Sequence, residues 1–210
     1  MSRSNGNGLA DVEMLTTMIG DVYECALQPR LWSRVLEQLC QLLSAKAASI
    51  HGIDPVNGRA AIHAEHGTDP VWTERLLSRY AAMSPIGAAV LLADVGEPVG
   101  AFDFIDEAEF VESRFYKEWC APQGYHDMMG ALIAKRPNEV GAISATRLVV
   151  QPRFGKRESD LLRLIAPHVR RAVTISGMIE HRTVAPGALK TVIDNLATAV
   201  LIVDADGRIV

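Results

Sequence analysis

Among 210 residues, the side chains best suited to covalent or metal chemistry are three cysteines and six histidines. Cys25 and Cys40 stand in helical rhythm among apolar neighbours, where a thiol behaves as a small hydrophobe. Cys120 differs: it follows Trp119, precedes Pro122, and becomes a nucleophile only if Lys117 is brought close enough to lower its pKa. His63 and His66 flank Glu65, with His51 nearby, but along a strand their spacing sends the two imidazoles to opposite faces, so the group reads as surface. The G-x-G-x-x-G, P-loop, G-x-S-x-G and H-E-x-x-H patterns are absent from the sequence. No catalytic residue, metal or cofactor is expected. A thiol-dependent enzyme built on Cys120 ranks last among the readings.

The middle third offers binding rather than catalysis. Trp72, Tyr80, Phe102, Phe104, Phe110, Phe115, Tyr116, Trp119, Tyr125, Met128 and Met129 concentrate aromatic and flexible apolar surface there. Small-molecule pockets are lined in this way, with a few polar tips to orient the ligand. Trp72, Tyr80, Ser84, Phe115, Tyr116, Trp119 and Met128 are the candidate ligand-binding residues. The competing reading makes them ordinary core between helices and sheet.

Composition narrows the partners. The formal net charge is −4, from 21 Lys and Arg against 25 Asp and Glu, so there is no basic excess to neutralise a phosphate backbone. Apolar runs are soon cut by a charge, proline or glycine, which excludes a membrane-spanning helix. The opening MSRSNGNGLADVE has no secretory apolar stretch, and three cysteines cannot all pair in one chain, so a reducing cytoplasm is the expected setting.

The elements that position these residues are legible from periodicity and turn chemistry. Residues 1–8 are polar and glycine-containing and are expected to be disordered. Leu15, Met18, Ile19, Val22 and Ala26 define one helix face, and Trp32, Val35, Leu36, Leu39, Cys40 and Leu43 a second beyond Gln28-Pro29. Ala47–Ile53 and Arg59–Ala64 read as a hairpin across Asp54-Pro55 and Asn57-Gly58. Asp69-Pro70 opens a helix reaching Tyr80, and a short helix or loop covers Ile86–Leu92. Val99–Phe104 is an extended edge, and Asp106–Trp119 a helix with acids in its first turn. Met128–Ala134 and Val140–Val149 are strands joined through Lys135–Asn138.

From Lys156 to His181 a long helix places Leu161, Ile165, Val169, Ala172, Ile175 and Ile179 near a 3.5-residue repeat, which fits either a homodimer seam or packing on its own sheet. Pro167 is expected to kink it and Gly177 to weaken it. Residues 183–188 read as a linker, and 189–210 as a helix and an unfinished hairpin, as though cut from a longer chain. The fold class is α+β: a mainly antiparallel sheet flanked by helices, closed by a long C-terminal helix.

Three segments add a resemblance. SRFYKEWCAPQGYHDMMG (Ser113–Gly130), YAAMSPIGAAVLLADVGEP (Tyr80–Pro98) and LLRLIAPHVRRAV (Leu161–Val173) together resemble LuxR-type helix-turn-helix transcriptional regulators, in that order, and the likeness covers most of Leu9–Arg182. It implies a GAF- or PAS-like sensory domain over residues 9–182, a small-molecule effector, a homodimer, and DNA contact only through a C-terminal domain absent from these residues. LIVDADGRIV resembles the opening of a PAS domain. In the acyl-homoserine lactone branch a tryptophan, a tyrosine four residues later and an Asp-Pro pair orient the ligand. Here Trp72 matches, but Leu76 stands at the tyrosine position and Ser84-Pro85 replaces Asp-Pro, so homoserine lactones are not the expected ligand. The alternative to ligand sensing is a dimerisation or protein-interaction module.

Overall fold

The computed structural model describes residues 4–54, 59–136 and 139–194. Five antiparallel strands form its centre: β1 (Ala47–Asp54), β2 (Arg59–His66), β3 (Pro98–Gly100), β4 (Tyr125–Arg136) and β5 (Glu139–Leu148), in the spatial order β2-β1-β5-β4-β3. The two hairpins expected from the turn chemistry, β1–β2 and β4–β5, are both formed, and β1 joins β5 to weld them into one sheet.

Side-chain alternation splits the central strands between two cores. Ala48 and Ile50 of β1, Met129, Ala131 and Ile133 of β4, and Ile143 and Ala145 of β5 face one way. They meet α1 (Ser4–Cys25), α2 (Trp32–Leu42) and α6 (Lys156–Asp194) through Met18, Val22, Leu36, Leu39, Leu162 and Val169. Ala47, Met128, Leu132, Val140 and Ala142 face the other way, toward the aromatic-rich middle of the chain. That second layer is built from short pieces: α3 (Pro70–Arg75), α4 (Pro85–Leu92), α5 (Glu107–Glu112) and the turns between them.

Each short helix carries its own start signal. Asp69 accepts from the Val71 amide at 2.9 Å, Ser84 from Gly87 at 3.4 Å, and Asp106 from Ala108 at 2.8 Å, while Pro70 and Pro85 occupy first-turn positions whose missing N–H costs nothing. Gly67 makes the corner before α3. Its φ is +77° and a Cβ there would lie 2.3 Å from the Lys46 carbonyl oxygen, so only glycine fits.

The segment expected as one helix over Asp106–Trp119 is two. Ser113 turns extended, and its hydroxyl accepts from the Tyr116 amide at 3.1 Å, so a second cap outcompetes continuation. The extended edge expected over Val99–Phe104 is shorter: β3 ends at Gly100, and a 3₁₀ turn follows over Ala101–Asp103, with Asp103 accepting from the Gly100 amide at 2.7 Å.

Both ends of the domain are more helical than expected. α1 starts at Ser4, inside the stretch assigned to disorder, because lengthening an anchored helix avoids the cost of nucleation. α6 likewise runs unbroken through Pro167 and Gly177 and on through residues 183–188. The start of the PAS-like module falls largely on residues 195–210, outside the described residues. The apolar stripe of α6 is used within the chain: Leu161, Ile165, Val169 and Ala172 are buried against its own sheet and α1, whereas Ile175 remains exposed.

One buried cation ties the layers together. Arg147, 3% exposed on β5, donates to the carbonyls of Leu43, Ser44, Pro152 and Arg153 and to Glu158 of α6 at 3.2 Å, with Phe154 stacked on its guanidinium. It thereby fixes both the end of α2 and the start of α6 to the sheet.

Candidate functional site

Between the second face of the sheet and the layer of short helices lies a cavity of about 120 Å³. Its floor is β1 and β5, which contribute Ala47, Ser49 and His51 and, opposite them, Ala142, Ser144 and Thr146. Leu76, Leu77 and Ala81 form one wall, Ser84, Gly87 and Val90 of α4 another, and Phe115, Trp119, Tyr125 and Met128 a third. Glu65, Thr68 and Thr73 complete the rim.

Two π-helical turns make the roof, over Leu76–Tyr80 and Tyr116–Cys120. Such turns place an extra residue in a helix and so re-aim its side chains. They are latched together. The Trp119 indole N–H donates to the Trp72 carbonyl at 3.0 Å, and the Tyr80 hydroxyl donates to Glu118 at 2.8 Å. Arg114 donates to the other oxygen of Glu118 at 2.7 Å and Arg79 stands at 3.6 Å. The Arg114 hydrogen bond, followed by that from Tyr80, lowers the Glu118 pKa, while the bond to Glu118 raises that of Tyr80.

The floor carries a short chain of hydrogen bonds. Ser49 and Ser144 face each other directly across the β1–β5 pair with hydroxyls 3.0 Å apart, and the Ser49 hydroxyl lies 3.2 Å from His51 Nδ1. Burial, with a smaller contribution from His63, pushes the His51 pKa down to about 4, so the imidazole is neutral near pH 7. At the rim Thr73 donates to Glu65 at 2.7 Å. Among the described residues the ionisable members of the lining are His51, Glu65 and Tyr125, with neither lysine nor arginine.

Of the seven candidates read from the sequence, Ser84, Phe115, Trp119 and Met128 line this cavity. Trp72 and Tyr80 stand behind it: Trp72 through the carbonyl that holds Trp119, Tyr80 through its bond to Glu118. Tyr116 points elsewhere, into a separate aromatic group with Phe110 at 5.2 Å and His126 at 5.7 Å between ring centroids. The Ser84 hydroxyl caps α4. Sequence reading missed the floor residues Ser49, His51 and Ser144 and the wall residues Leu76 and Leu77. The alternation of β1 and β5 already placed serine and histidine on one face, and that was the available signal.

Cysteine chemistry is not supported by the geometry. All three thiols are buried, and burial pushes Cys25 up to about 11, Cys40 to about 12 and Cys120 higher still. Lys117, the residue that could have activated Cys120, pairs instead with Glu112 at 2.5 Å. Among the described residues no group of three or more His, Cys, Asp or Glu side chains could hold a metal ion, and no helix is long and apolar enough to cross a membrane.

The architecture is that of a GAF domain. Three solved structures show it: the VqsR LBD domain from Pseudomonas aeruginosa, with a TM-score of 0.61 at 15% identity over 77% of this chain and 94% of that one; the GAF domain of a phosphoenolpyruvate-protein phosphotransferase from Coxiella burnetii, with 0.53 at 17% over 81% and 96%; and the phycocyanobilin-bound GAF domain of a cyanobacterial phytochrome, with 0.54 at 12% over 80% and 97%. No protein-family model matches the chain, and no curated protein matches it in sequence.

Proposed function

We propose that residues 9–182 are the sensory domain of a LuxR-type transcriptional regulator, and that the cavity binds a small, partly apolar effector. The observation that carries this reading is the cavity itself: a partly open space between apolar walls, with a few polar groups converging on its floor, where a purely structural domain would pack side chains to full density. The likeness in fold to the VqsR LBD domain and to a bilin-bound GAF domain supports it.

In this reading the protein is not an enzyme. The effector shifts the population between two packings of the roof over the sheet, and the shift passes through β4 and β5 to α6, which leads toward a C-terminal DNA-binding domain. Leu164 and Ile175, both exposed and eleven residues apart on α6, mark the stripe along which a second copy pairs in a cytoplasmic homodimer.

Titration of the purified chain with a panel of small neutral apolar compounds tests the reading. Trp119 forms a cavity wall, so occupancy is expected to change tryptophan fluorescence and to raise Tm. A panel in which no member alters either quantity would rule out ligand sensing and leave dimerisation as the function.

A further inference from the structure

The chemistry of the cavity floor restricts what the cavity can hold, given the reading above that it is the effector site. We infer that it selects an uncharged molecule about the size of one aromatic ring, bearing a single hydroxyl or comparable hydrogen-bonding group that meets the Ser49–Ser144 pair, and that it excludes carboxylates and phosphates.

Three observations converge on this class. Size comes first: a closed apolar protein cavity of ~150 Å³ accommodates benzene, and this one, at about 120 Å³ and open on one side, is of the same order. Charge comes second. An anion brought into this lining finds no lysine or arginine, meets a neutral imidazole at His51, and faces the Glu65 carboxylate at the rim. Desolvating a carboxylate with no compensating cation, even in a partly polar site, costs enough to abolish binding of a small ligand. Third is polarity. Ser49 is engaged on both sides, by Ser144 at 3.0 Å and His51 Nδ1 at 3.2 Å, whereas among the described residues the Ser144 hydroxyl has Ser49 as its one partner. Ser144 is therefore the open end of the chain.

The direction of that chain is reversible. With Nδ1 of His51 accepting, Ser49 donates to it, Ser144 donates to Ser49, and the lone pairs of Ser144 face the cavity. With Nδ1 protonated, both bonds reverse and Ser144 presents its proton instead. A ligand hydroxyl satisfies either arrangement, because it both donates and accepts; a hydrocarbon satisfies neither.

Three single-ring probes separate the terms: phenol, benzene and benzoate, each titrated at pH 7 into the full chain and followed through backbone amide shifts of residues 47–51 and 142–146. Phenol is expected to bind at least about tenfold more tightly than benzene, with benzoate not binding. In Ser144→Ala, phenol should fall to the benzene level while benzene binds as before, which also shows that the variant is folded. Equal affinities for phenol and benzene in the unaltered chain would overturn the role of the serine pair, and benzoate binding as well as phenol would overturn the exclusion of anions. Either result leaves the cavity standing as a ligand site. Failure of all three probes to move these amides overturns this inference and the sensory reading together.

Discussion

The indole N–H of Trp119 donates to the main-chain carbonyl of Trp72 at 3.0 Å, joining two segments 47 residues apart that together roof the cavity. Trp119 is stacked on Phe115, with centroids 5.2 Å apart and planes 28° from parallel, and Arg75 lies over the ring of Trp72 at 4.6 Å. With the Tyr80–Glu118 bond, this donor helps to hold α3 and the first π-helical turn against the second, and so sets the height of the cavity.

Trp119→Phe keeps most of the apolar wall but removes the indole donor, leaving the Trp72 carbonyl with the Leu76 amide alone. The expected loss is about 0.5–1.5 kcal/mol of stability, read from urea unfolding. Amide exchange should rise in residues 70–83 and not in β1 or β5. A uniform rise across the sheet would show that the bond is not confined to the roof.

Arg147 is expected to be far less tolerant. Its guanidinium is buried and satisfied by four carbonyls and Glu158, so Arg147→Met strips those carbonyls of their shared donor and leaves Glu158 only Arg157 and the Gly155 amide, at a cost of about 3–5 kcal/mol. Arg147→Lys should not rescue it, because an ammonium has three donors and no planar fork. Unfolding midpoints of the two variants equal to that of the parent would overturn this account.

The thiols are expected to be inert in the folded state. Cys25 and Cys120 have no exposed surface, Cys40 is 6% exposed, and burial raises the pKa of all three. Ellman's reagent at pH 8 should label none within minutes and all three in urea. Rapid labelling of Cys120 without denaturant would reopen the thiol-enzyme reading.

The pH dependence of stability carries the signature of His51. Its pKa is lowered from the ordinary 6.5 to about 4 in the folded protein, so between those values the unfolded chain binds the extra proton. Stability contributed by the neutral imidazole is complete above pH 6.5, declines as the pH falls toward 4, and changes no further below it. The full shift corresponds to a loss of the order of 3 kcal/mol. His51→Gln should flatten the difference curve over that window. Identical slopes for parent and variant would show that His51 titrates normally.

Sequence by itself determined the element order, the antiparallel class of the sheet and the starts of α3 and α5 at Asp69-Pro70 and Asp106. Period-2 and period-3.6 patterns and Asp-Pro or Ser-Pro caps are local signals that survive without a partner. It also singled out Phe115 and Trp119, which line the cavity, because bulky side chains concentrate wherever a second core must form. What it could not decide was which of them face the empty space. Trp72, Tyr80 and Tyr116 differ from Trp119 only in where two helical turns point, and those turns are set by Ser113 capping a new helix start and by the register of each π-helical turn. The floor was equally hidden. Ser49 and Ser144 lie 95 residues apart, and only the pairing of β1 with β5 brings their hydroxyls within hydrogen-bonding distance. The fate of the α6 stripe was likewise decided in three dimensions: its 3.5-residue spacing suits a partner helix or a sheet face equally, and the sheet claimed it because α1, α2 and the apolar face of β4 and β5 were already there to be covered.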